Sequence, residues 1–247
     1  MIKFFRKIRQ KKLSENKFNK YLIYAIGEIV LVVIGILFAL QINNWNESRV
    51  ANHKQTLNLK ELVNSINNDL WSYERILNQN LKIKKSGIDS LHAYMFSNKE
   101  ITDSLFIKFY KMAKKDIHFR FGNGPFEALK SNGLDLIRND SLRTHINNTY
   151  TSDLPISVLL GNDYYYENKP KVDELFYKLI AMKRNYLPDG TMYLVESLKV
   201  DDVLNNEDFL WAIKLEMNKY EEDTMRIKRI RTSLKDLKSA IEKELKK

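Results

Sequence analysis

Residues Leu22 to Ile42 read LIYAIGEIVLVVIGILFALQI, with Glu28 as the one formal charge. At about 1.5 Å per residue such a helix spans the roughly 30 Å hydrocarbon core of a bilayer. Fourteen of these twenty-one residues are Leu, Ile, Val or Phe. At about −0.3 to −0.6 kcal/mol each they outweigh one off-centre carboxylate of about +3 kcal/mol. The stretch is longer than the apolar region of a secretory signal, and no A-x-A-like cleavage site follows it. The expectation is an uncleaved signal anchor. It divides the chain into a basic segment (1–20), a transmembrane helix (21–42) and a single extracytoplasmic domain (43–247).

Orientation follows from lysine and arginine at the two flanks. Residues 1–20 hold Lys3, Arg6, Lys7, Arg9, Lys11, Lys12, Lys17 and Lys20 against the single Glu15, whereas residues 43–62 hold only Arg49, Lys54 and Lys60. The expected topology is N-terminus in the cytoplasm and residues 43–247 outside. Trp45 suits the outer interface; Tyr21 and Tyr24, with Lys17 and Lys20, suit the inner one. Phe4, Phe5 and Ile8 among the bases suggest a short amphipathic helix on an anionic inner leaflet.

This placement changes the meaning of the net charge of +10. Residues 1–42 carry eight positive and two negative side chains, which leaves only +4 for the remainder. Most of the basicity therefore reports topology, and nucleic acid is not an expected partner. Within the span, Ala25, Glu28, Val32, Gly35, Ala39 and Ile42 recur at intervals of three and four. Small side chains allow close helix approach, and an intramembrane acid needs a hydrogen-bonding partner. The stripe reads as a packing face for self-association or for a polytopic membrane protein.

The end of the span, IGILFALQINNWNE (Ile34–Glu47), together with the opening MIKFFRKIRQ, resembles an uncharacterised family of Bacteroidota membrane proteins, a domain of unknown function. A second patch carries the same resemblance: Ser131, Gly133, Leu134, Ile137, Asn139, Leu142 and Tyr150. The resemblance implies a single-pass inner-membrane protein with a mostly helical periplasmic part. It brings no activity and no catalytic residues.

The fold class expected for residues 43–247 is all-α. Leu59, Val63, Ile66, Leu70, Tyr73 and Leu77 alternate at spacings of four and three. Ile213, Tyr220, Ile227, Leu234 and Ile241 fall every seven residues, with Ile230 and Leu237 between them. Both runs are seams of the coiled-coil or bundle-core kind. Their similar lengths, about 40 residues or roughly 60 Å, predict two long antiparallel helices whose end, with Lys243, Lys246 and Lys247, returns towards the membrane. Between them the pattern predicts an amphipathic helix over 101–115 and a helix over 126–132 that stops at Gly133. Another helix, capped by Asn139, is expected over 140–150. Pro155, Pro170 and Pro188 read as breakers or helix starts, Asp189-Gly190 as a turn, and 192–195 as the one strand candidate.

Catalytic signatures are sparse in the sequence. His53, His92, His118 and His145 have no metal-ligand spacing, and Gly122-Asn123-Gly124 lacks the lysine of a phosphate loop. No catalytic residue, metal or cofactor is expected, and no small molecule is implied. Glu221, Glu222 and Asp223 read as a solvated helix face. Phe119, Phe121 and Phe126 around the glycine turn, and Tyr164, Tyr165 and Tyr166 before Pro170, are candidates for a partner or ligand surface, although filling the bundle core explains them as well. The leading expectation is a non-enzymatic, membrane-anchored scaffold, docking or sensing protein acting through partners. A stator-like energy-coupling subunit using Glu28, by analogy of topology, is the alternative. An enzyme with an unrecognised site is the third.

Overall fold

A computed structural model describes residues 18–97 and 99–247, without the side chains of 18–20, 164 and 165. The described chain is mostly helical, with one two-stranded hairpin, as the apolar spacing predicts. Helices α1 (Phe18–Arg75) and α2 (Lys82–Met95) are joined through a π turn at Ile76–Leu81. Helices α3 (Asp103–Ala113) and α4 (Gly124–Asn132) are shorter. A second π turn, Thr149–Asp153, links α5 (Asp140–Asn148) to α6 (Leu154–Leu179). Strands β1 (Ile180–Tyr186) and β2 (Met192–Leu198) precede the long α7 (Glu207–Glu244).

The chain separates into two compact units, Met1–Gln55 and Thr56–Lys247. In the first, α1 is long and apolar enough to cross a membrane, and the most apolar part of it is not buried at all. Apolar side chains left in the open along several turns mark a surface that a partner or a bilayer can cover.

In the second unit, the start of α1's buried stripe is Leu59, Leu62, Ile66 and Tyr73. It packs with Ile227, Ile230, Leu234, Leu237 and Ile241 of α7, the residues of the heptad-spaced run. The two columns are antiparallel: Glu74 of α1 pairs with Arg231, and Lys84 of α2 pairs with the earlier Glu216. Phe126, Leu129, Leu142, Ile146 and Tyr150 belong to the same apolar cluster. A second cluster gathers Ile88 and Leu91 of α2, Phe106, Ile107 and Tyr110 of α3, Phe176 and Leu179 of α6, and Phe209, Ala212 and Ile213 of α7. Its centre is aromatic: Tyr110 stacks on Phe176 at 5.1 Å between centroids and meets the edge of Phe209 at 6.1 Å. At Gly87, a Cβ would collide with the Ala113 amide nitrogen and the Phe109 carbonyl, so glycine sets how closely α2 and α3 approach.

The expected punctuation is largely present. Gly133 has φ of 101°, a conformation that favours glycine, and closes α4. The Asn139 side chain accepts the Leu142 amide at 3.2 Å and starts α5, and Asn206 caps α7 by accepting from Phe209 at 3.3 Å. Two expectations are corrected. Pro170 does not break the chain; it lies inside α6 with Val172 and Phe176 buried just beyond it, so packing holds the helix across the missing amide. The strand at 192–195 is real but has a partner in β1, joined through Leu187–Thr191 with Gly190 at φ of 85°. Ile180–Tyr186 carries Lys183 and Arg184 and follows a helix without punctuation, which is why it reads as helical.

Candidate functional site: a charged layer between two apolar clusters

Along α7 the buried apolar seam stops at Ile213 and resumes at Ile227. The inward positions between them fall to Glu216, Lys219, Tyr220 and Asp223. On the facing α2, Lys84 interrupts Leu81 and Ile88 in the same way. The two apolar clusters are thus divided by a layer of charge.

Lys84 and Lys219 are buried, and each is held twice. The Lys84 ammonium donates to the Ala113 carbonyl at 2.8 Å and to Glu216. The Lys219 ammonium donates to the Gly161 carbonyl at 3.1 Å and to Asp223 at 2.5 Å, and lies 5.6 Å from the centre of the Phe119 ring. Lys114 pairs with Asp173 and sits 4.4 Å from the Phe176 ring centre. Lys169 bridges Asp173 and Asp116 at 3.4 and 3.1 Å. Buried ammonium groups are tolerable only with such partners.

Asp223 is the least settled member. Burial pushes its carboxyl up to about 6, against the opposing pull of Lys219, Lys84 and Arg226. One of its oxygens takes the Lys219 bond; among the described residues the other has no hydrogen-bond partner although it is buried. For Asp173, burial raises the carboxyl, but Lys114 and Lys169 together hold it below the usual range. Burial lifts the Tyr110 phenol well above its ordinary value, with Glu216 and Asp173 adding to the effect. The cleft at this layer holds about 30 Å³, room for roughly two waters. Its lining counts five lysines (84, 114, 115, 169, 219) against four carboxylates (116, 173, 216, 223), so the cleft is nearly neutral.

The loop over the layer is strapped from both sides. The Gly122 amide donates to both Asp69 oxygens at 3.1 and 3.0 Å, and Tyr73 donates to the Arg120 carbonyl at 2.7 Å. Burial raises the Asp69 carboxyl, and the Gly122 bond and Arg120 offset part of that. Asn162 of α6 accepts the Phe119 amide at 3.1 Å and donates to the Phe119 carbonyl at 3.0 Å. Gly161 lies flush against the Phe119 ring, where a Cβ would approach to 2.6 Å.

The sequence-derived candidates are dispersed. Ala25, Glu28, Val32, Gly35 and Ala39 lie on the unburied helix; Ala25 is half-exposed, the others exposed, and Gly35 has open space where a Cβ would stand. Trp45 is exposed with the Arg49 guanidinium 5.7 Å from its ring centre, and Tyr21 is half-buried. Lys17, Phe4, Phe5 and Ile8 lie outside the described residues, as do the side chains of Lys20, Tyr164 and Tyr165. Phe119 and Phe126 lie inside the core and are not a surface; Phe126 stacks on Tyr150 at 4.8 Å. Phe121 is half-buried at 6.2 Å from Tyr150, and Tyr166 is exposed. Asp223 corrects the solvated-face reading of 221–223: successive helix positions turn by about 100°, and here Glu221 faces out while Asp223 is buried. Sequence reasoning missed the charged layer. Its signal is the polar gap in two otherwise apolar seams, with Lys219 and Asp223 four residues apart.

Fold and site together define a helical bundle with an ionic middle layer and, among the described residues, one candidate membrane-crossing helix. Residues 28–218 match DUF6090, a family of unknown function, and the chain belongs to that family. The match begins inside the apolar stretch and reaches Glu216, but stops short of Lys219 and Asp223. No curated protein and no solved structure matches the chain.

Proposed function

We propose that this protein is a membrane-anchored helical scaffold that docks or senses through partner proteins, acting by binding rather than by catalysis. The reading places residues 1–20 in the cytoplasm, the span at 21–42 in a bacterial inner membrane as an uncleaved anchor, and residues 43–247 in the periplasm. The flanking lysine and arginine bias supports that orientation. The observation that carries the functional reading is the open apolar helix. Val32, Gly35 and Ala39 form one exposed stripe with Glu28, a carboxylate in an otherwise apolar stretch. Such a stripe suits a second membrane helix approaching closely and hydrogen-bonding Glu28.

Crosslinking and co-purification of the full-length chain from its own membrane tests the proposal. A membrane protein partner should be captured, and Gly35→Leu should abolish its capture while leaving the helical content of the protein unchanged. Glu28→Gln should weaken capture less than Gly35→Leu, since an amide still hydrogen-bonds. A span that behaves as a lone monomer, with capture indifferent to Gly35→Leu, overturns the docking role.

A further inference from the structure

The hairpin leaves a sheet edge open, and the register says which backbone groups it presents. Leu187 and Lys199 donate to Thr191 and Leu179 across the hairpin. In an antiparallel ladder, hydrogen-bonded pairs alternate with non-hydrogen-bonded pairs. Tyr193 and Val195, paired with Asn185 and Lys183, therefore turn their amides inward to β1. Met192, Leu194, Glu196 and Leu198 turn theirs outward. The outward Leu198 amide is already satisfied by Asp103 at 2.9 Å, and Glu196 pairs with Lys111, so α3 covers that half of the edge. No described residue bonds the outward amides of Met192 and Leu194.

The two edges of the hairpin differ in chemistry. The β1 edge carries Lys183 and Arg184, charges of the kind that blunt a free edge. The open half of β2 reads Met-Tyr-Leu-Val, residues 192–195, with no charge. These four side chains are exposed at 50, 40, 57 and 37%, and Met182 and Tyr186 at 62 and 61%. Alternation sets Met182, Tyr186, Met192 and Leu194 on one face of the hairpin and Tyr193 and Val195 on the other; at roughly 100 Å² of open surface each, the first four make about 400 Å² of apolar surface beside the open edge.

We propose that the open half of β2 pairs with β2 of a second copy of this chain, in a two-fold antiparallel arrangement that makes a four-stranded sheet. An uncharged edge meets an identical uncharged edge without like charges opposing. Pairing centred on Tyr193 joins Met192 of each copy to Leu194 of the other through their outward amides and carbonyls. It also keeps clear of α3. Tyr193 then faces its own counterpart as a non-hydrogen-bonded pair, with Cα atoms about 4.5 Å apart, inside the range a disulfide bridges. This association is independent of the membrane partner proposed above and has a separate readout.

The chain has no cysteine, so single-cysteine variants of the full-length protein report one position each. Under mild oxidation in native membranes, Tyr193→Cys should give a disulfide-linked dimer and Asn185→Cys on β1 should remain monomeric. Adding Leu194→Lys to Tyr193→Cys should lower the dimer yield at least tenfold. Sedimentation in detergent should show the wild type as a dimer and Leu194→Lys as a monomer, with unchanged helical content. Equal yields at 193 and 185, no bond at 193, or a dimer indifferent to Leu194→Lys overturns the proposal.

Discussion

At the residue scale, the layer around Asp223 makes stability depend on pH in a definite direction. The carboxyl of Asp223 rises from 3.8 to about 6 on folding, because burial disfavours its charged form more than Lys219 favours it. Below pH 3.8 both folded and unfolded chains hold this proton, and the group exerts no penalty. Between 3.8 and about 6 the unfolded chain loses the proton first, so stability falls as pH rises. Above about 6 the full penalty, on the order of 3 kcal/mol, is present. Asp223→Asn imitates the protonated form: urea unfolding should show the variant at least as stable as wild type at pH 7, with a flatter profile between pH 4 and 7. A steeper profile, or a large loss at pH 7, would contradict this account. Lys219 has the converse role. Lys219→Met strands a buried carboxylate and should cost about 3 kcal/mol at pH 7. The double variant Lys219→Met, Asp223→Leu should recover most of that, which a double-mutant cycle measures. None of this was legible from the acidic run 221–223, because composition reports charge and only helical phase reports which charge turns inward.

At the element scale, the seams were legible and the irregularities were not. The spacing at 59–77 and the heptads at 213–241 set out the two columns because one face of each helix must be apolar to be buried. Asn139 and Gly133 mark their helix ends because each satisfies or relaxes backbone that no other residue type satisfies as well. The π turns at 76–81 and 149–153 leave no such mark, since a wide turn inside a continuous helix is chosen by packing on either side of it. β1 was likewise hidden, as its pairing with β2 depends on a turn and a partner rather than on its own alternation. Pro170 shows tertiary packing overriding propensity. An interior proline costs a helix about 3 kcal/mol, and Pro170 is exposed, so nothing in the core needs its ring. Pro170→Ala should raise the unfolding free energy by about 1 kcal/mol or more, visible as a higher denaturant midpoint with unchanged slope. A lowered midpoint would mean that the proline is needed where it stands.

At the scale of the whole molecule, the division of labour between the two units has a direct consequence. Every residue of both apolar clusters lies between Leu59 and Leu245, and so do both members of the Lys84–Glu216 and Lys219–Asp223 pairs. Among the described residues, the unit Met1–Gln55 contributes none to either cluster. A fragment comprising residues 56–247 therefore carries every described residue of both apolar clusters. At this size a single chain folds cooperatively without disulfides or metals. Freed of the apolar stretch, the fragment should be soluble without detergent and predominantly helical. It should unfold in one transition whose pH dependence between 4 and 7 matches that of the full chain, since Asp223 and its neighbours are all retained. The full chain should need detergent or lipid under the same conditions, because the most apolar part of α1 is not buried among the described residues. Circular dichroism melts of the fragment, with and without Lys219→Met, provide the check. A fragment that is unfolded or aggregated, or whose melting ignores Lys219→Met, would show that the first 55 residues are part of what holds the bundle together.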